Sequence, residues 1–150
     1  MRTATKISQT AGSAWERLLG GALVAGSANL VNLFDLRPGR ALKVVGLVAA
    51  PAQLGGARAA AVLGPTIGAG LAVARDDLGE RAMLGDCGAN ALGAALGVAG
   101  ASTLPRRWLV VVTGAVVGLT LASERLSFST VIDEDAVLRW VDLLGRRPAR

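Results

Sequence analysis

A chain of 150 residues can bury one good core, but this one is 52% hydrophobic with only 18% charged and 3% aromatic residues, a balance that disfavours an ordinary soluble domain. With no histidine, every mechanism that needs an imidazole base is excluded, and the single cysteine, Cys87, excludes an intrachain disulfide or a cysteine-rich metal site. The net charge of +5 suits anionic lipid headgroups, and without interleaved basic and aromatic residues no nucleic-acid partner is expected.

Small residues dominate, with 20 glycines and a mean hydropathy of +0.49. Ala, Gly and Ser at close intervals let helix backbones approach each other where lipid removes the hydrophobic drive between them. The expected fold class is all-α, a polytopic membrane helix bundle of about five spans plus a C-terminal amphipathic helix, forming a single membrane domain over residues 1–150. An Ala-rich soluble α/β domain is the weaker alternative.

Residues 1–17 are polar and carry no catalytic pattern. Arg2 and Lys6 ahead of an apolar run resemble the start of a signal peptide, but Glu16 and Arg17 abut that run and Asn29 and Asn32 sit inside its end. A retained first span over 18–34 is therefore expected. Asn29 and Asn32 are one helical turn apart and share a face that continues towards Asp35, which suggests a polar pocket; interhelical amide hydrogen bonding is the plainer reading.

Residues 34–43, FDLRPGRALK, form a turn around Pro38 and Gly39 with Arg37, Arg40 and Lys43 gathered beside Asp35. These cations suit phosphate oxygens, or serve only to orient the neighbouring spans. A second apolar run covers 41–56 with Pro51 as a kink, and a third covers 59–74. As a helix the third rises only ~24 Å against a hydrocarbon core of roughly 30 Å. Residues 75–81, RDDLGER, read as a polar loop whose Asp76 and Asp77 are an attractive metal pair but more often plain solvated charge.

Residues 83–93, MLGDCGANALG, put Asp86 between glycines at the mouth of the fourth run, 89–104. A carboxylate at such a border is costly to desolvate without compensation, which marks it as functional; helix capping is the bland alternative. Cys87 beside it reads as a buried, inert thiol. Trp108 opens the fifth run, 108–122, at a position that fits an interfacial belt. In the tail, acids at 133–135 precede arginines at 146, 147 and 150, and Val137, Trp140, Val141 and Leu144 make one apolar stripe. This predicts a surface helix over 133–147. Five spans put every acid except Glu16 on one side, with ten of the sixteen Lys and Arg residues, which makes that side cytoplasmic.

In order, NLFD, an apolar stretch and MLGDCGANALG resemble the second half of the polyprenyl-phosphate sugar-1-phosphate transferases. That family includes phospho-N-acetylmuramoyl-pentapeptide transferase and the UDP-N-acetylglucosamine 1-phosphate transferases. Asn29, Asn32, Asp35 and Gly39 match the family's N-x-x-N-x-x-D-G-x-D-G stretch, and Gly85, Asp86 and Gly88 match its F-M-G-D-x-G-S stretch.

The resemblance, over residues 18–128, implies transfer of a sugar-1-phosphate from a UDP-sugar to a polyprenyl phosphate with release of UMP, at the cytoplasmic face of the cell membrane. It implies magnesium as cofactor with Asp86 as its ligand, Asp35 and Asp86 as the catalytic carboxylates, and Asn29, Asn32, Arg37, Arg40 and Lys43 as substrate-binding residues. Its partners would be the two substrates and the lipid bilayer, with a homodimer left open. The chain departs from the family in having no early D-D motif, Pro38 in place of the second Asp, Ala89 in place of Ser, and no histidine-rich loop. It thus reads as a C-terminal part or a divergent relative, with a non-catalytic membrane bundle as the alternative.

Overall fold

The computed structural model describes residues 13–146; Arg2, Lys6, Arg147 and Arg150 lie outside them. Every regular element among the described residues is helical. The first helix, α1 (Ala14–Phe34), starts before the apolar run because Ser13 and Glu16 cap it reciprocally, each side chain accepting from the other's backbone N–H at 3.2 and 2.9 Å. Asp35 ends it.

Gly39, with φ +77°, turns the chain into α2 (Arg40–Ala52). The run expected over 41–56 does not continue as one helix. Past Pro51 it tightens into a 3-10 turn, Gln53–Gly55, and Gly56 at φ +108° reverses the chain. By contrast α3 (Ala57–Leu78) is longer than the apolar run implies. Residues 75–78, expected in a loop, form its last turn, so the helix rises about 33 Å, enough to cross a bilayer.

Helix α4 (Gly85–Thr103) likewise begins ahead of its apolar run and takes Asp86 into its first turn, where a negative charge complements the helix dipole. Pro105 then leads into α5 (Arg106–Ser123). The surface helix expected over 133–147 is two helices, α6 (Phe128–Glu134) and α7 (Ala136–Leu143). Asp135 separates them: it closes α6 and caps α7, its Oδ1 accepting from the backbone N–H groups of Val137 and Leu138 at 2.9 Å.

At the centre α4 lies against α1, with α5 packed on α1 and α3 packed on α4. The α1–α4 seam is close because Gly93 and Gly97 face backbone: a Cβ on Gly97 would fall 2.5 Å from Val24 Cα. Leu63, Leu92, Val31, Val45 and small residues such as Ala59, Ala89 and Ala99 fill the rest of the core.

Three helices, α1, α3 and α5, are long and apolar enough to cross a membrane. The outside of the bundle is apolar, as Leu18, Leu47, Leu71 and Val111 illustrate, a surface that suits lipid. All three tryptophans are exposed, Trp15 and Trp108 at the starts of α1 and α5 and Trp140 on α7 at the opposite end.

Candidate functional site

The ends of α1, α3 and α5, the starts of α2 and α4, and the α6–α7 hairpin meet at one end of the bundle. Phe34 and Phe128 stack there with ring centroids 4.8 Å apart. Asp35, at the C-terminus of α1, is buried, and its Oδ1 has no hydrogen-bond partner among the described residues. Burial, followed by the Asp77 charge, pushes its carboxyl above the ordinary value; the Gly85 backbone N–H opposes this and the Asp86 charge adds to it. Asp35, at the end of α1, and Asp86, at the start of α4, thus lie at the same end of the fold although far apart in sequence.

Asp86 is exposed in the first turn of α4, and its backbone carbonyl accepts from Asn90 Nδ2 at 2.7 Å. Cys87 beside it is exposed, contrary to the buried thiol expected from sequence. On α1, Asn32 is half-buried one turn before Asp35, and Asn29, nearly two turns before it, is exposed and faces away from the buried Asp35.

The basic loop is at this end too, but its guanidinium groups are engaged. Arg37 makes a two-pronged pair with Asp133, both bonds 2.8 Å. Arg40 is buried and makes a second with Asp142 at 2.8 and 3.1 Å, while its remaining nitrogen donates to Ser129 Oγ at 2.9 Å. Lys43 Nζ donates to the Asp142 backbone carbonyl. Arg146 reaches both Asp142, at 3.5 Å, and Glu80, at 3.3 Å. The Asp142 carboxyl is held below the ordinary value, chiefly by the Arg40 hydrogen bonds and against the effect of burial, with the Arg40, Lys43 and Arg146 charges in support.

Asp76 and Asp77, adjacent in sequence, part company. Asp76 is exposed and pairs with Arg81, whose Nε lies 2.8 Å from its Oδ1. Asp77 is 1% exposed. Its Oδ2 accepts from the Gly39 N–H at 3.0 Å and its Oδ1 has no partner among the described residues. Because the charged segment 75–78 reads as a loop, the sequence conceals that a further helical turn carries Asp77 inward. The only signal is the adjacent acid pair.

Among the described residues no group of three or more His, Cys, Asp or Glu side chains is arranged to hold a metal ion. What the site can offer a hard cation is free oxygen on Asp35 and Asp77 and an exposed carboxylate on Asp86. Beside it, an apolar crevice of about 280 Å³ runs between α2 and α6–α7, lined by Phe34, Val44, Phe128 and Val131 and flanked by Arg40 and Lys43. No family model, curated protein or solved structure matches this chain.

Proposed function

We propose that this chain is a divergent polyprenyl-phosphate sugar-1-phosphate transferase. Its helices α1–α5 would cross the cell membrane, its acidic end would face the cytoplasm and α7 would lie on the membrane surface. In the reaction a phosphate oxygen of the polyprenyl phosphate bonds to the β-phosphorus of a UDP-sugar. The bond from that phosphorus to the bridging oxygen breaks, and UMP leaves with the electron pair.

The observation that carries this reading is the convergence of Asp35 and Asp86, the acids of the two matched motifs, with a buried oxygen of Asp35 left unpartnered. Carboxylate oxygens of this kind fit magnesium, which needs only one or two of them when substrate phosphates complete its shell. Asp86 and Asp35 would hold it, and its charge would offset that of the phosphates during transfer. Lys43 gives one N–H to a backbone carbonyl and has two others for a phosphate, beside a crevice whose apolar wall suits a lipid chain. Asn29 and Asn32 would line the nucleotide side.

A second reading is a bundle that binds lipid phosphate without chemistry. It is favoured by the pairing of Arg37 with Asp133 and Arg40 with Asp142, since each fork must leave a carboxylate before it can take a phosphate. The two readings separate in membranes containing the chain, given polyprenyl phosphate, a panel of UDP-sugars, and magnesium or a chelator. The transferase releases UMP only with magnesium and not as Asp86→Ala. Folded, inserted protein that releases none supports the second reading.

A further inference from the structure

We infer that Asp77, which lies outside both matched motifs, stands with Asp35 as the buried carboxylate pair that holds a hard divalent cation, magnesium or manganese, at the mouth of the bundle, with the exposed Asp86 at its edge. This deepens the magnesium reading of the site and rests on it for the class of cation alone.

Both side chains are more than nine-tenths buried, and each keeps one oxygen without a hydrogen-bond partner. Asp77 binds the Gly39 N–H, the last residue of the short loop that Asp35 opens, so the two carboxylates are held on either side of one turn. Capping that N–H uses a single oxygen, and a neutral Asn could do it without burying a charge. Among the described residues neither acid has an ion-pair partner: Arg40, Lys43 and Arg146 converge on Asp142, and Lys43 acts on Asp77 through its charge alone. Two buried carboxylates at one turn, neither in an ion pair, are a net cost to the fold. A hard cation removes that cost, and it accepts oxygen ligands of this kind while keeping water or phosphate in its remaining positions.

The test uses the full chain purified in detergent, with Mn2+ binding followed by electron paramagnetic resonance and unfolding followed with and without Mg2+. Asp77→Asn preserves the shape and the acceptor for Gly39; Asp35→Asn is the second variant and Asp76→Asn the control. Each of the first two should bind Mn2+ at least about tenfold more weakly than wild type, while Asp76→Asn should not change. Without metal, Asp77→Asn should unfold at a higher temperature than wild type and lose the rise that Mg2+ confers, which a purely structural cap would not do. Wild-type Mn2+ affinity in Asp77→Asn, or no Mn2+ binding by folded wild type, overturns the site. Mn2+ binding that depends on Asp77 without UMP release would sustain the site and sink the transferase reading. Magnesium-dependent UMP release with unaltered metal affinity in Asp77→Asn would do the reverse.

Discussion

Arg40 and Asp142, 102 positions apart in the chain, meet as a two-pronged ion pair with each side chain only 4% exposed. The pair pins α7 to the start of α2, and Arg146 extends it to Glu80 beyond the end of α3. The residue that α7 buries is therefore a charge, while its apolar positions Val137 and Trp140 point outward.

Removing one member leaves the other buried and unpaired. Asp142→Ala should cost about 3–5 kcal/mol of stability, whereas Arg40→Met combined with Asp142→Leu should cost far less, because no charge is then left inside. Chemical unfolding in detergent measures both. Limited proteolysis should cut between α5 and α7 faster in the single variant only.

The same pair sets an acid limit. Arg40 holds the Asp142 carboxyl below its ordinary value of 3.8 in the folded chain, and unfolding restores that value. The folded state thus binds this proton less readily, so the stabilisation is complete above the unfolded value and is lost as pH falls through the lower folded one. Below about pH 4 the unfolding temperature of wild type should drop more steeply than that of the Arg40→Met, Asp142→Leu variant. Parallel curves for the two would refute this role.

The α1–α4 seam has no room for a side chain at Gly93, where a Cβ would run into the Ser27 carbonyl and lie 2.8 Å from Ala28 Cα. Gly93→Ala should destabilise the bundle by about 1–3 kcal/mol. Gly114, on α5, has nothing within 4 Å of its Cβ position, and Gly114→Ala should be neutral or stabilising by up to about 1 kcal/mol. Thermal unfolding of the two variants side by side tests the contrast.

Trp140 is 63% exposed on the outward face of α7, where an amphipathic helix meets lipid headgroups. With Trp15 and Trp108 changed to Phe, the fluorescence of Trp140 in vesicles should be quenched more by lipids brominated near the headgroup than by those brominated deep in the chain. Trp140→Glu should leave unfolding in detergent almost unchanged. Absence of quenching at either depth would mean that this face meets something other than the bilayer.

Much of the helical frame is legible in the sequence. Apolar runs broken by Pro38-Gly39, Gly55-Gly56 and Pro105 mark the helices, because such breaks act locally through backbone conformation. Asp35 and Asp86 stand out for a similarly local reason, as acids bordering apolar runs. Helix ends are less visible: Ser13 with Glu16 lengthens α1 by capping, and the charged segment 75–78 stays helical because nothing in it breaks a helix.

What the sequence by itself determined was the helical class, the small-residue packing and the apolar exterior, since these follow from composition and from neighbours along the chain. Only the tertiary structure decided which charges are compensated. It turned Asp77 inward and Asp76 outward, gave Arg37 to Asp133 and Arg40 to Asp142, and left Asp35 with an unpartnered oxygen. The physical reason is that charge pairing inside a protein acts at a few ångströms, and in this fold the separation in space between two charges bears no relation to their separation in sequence.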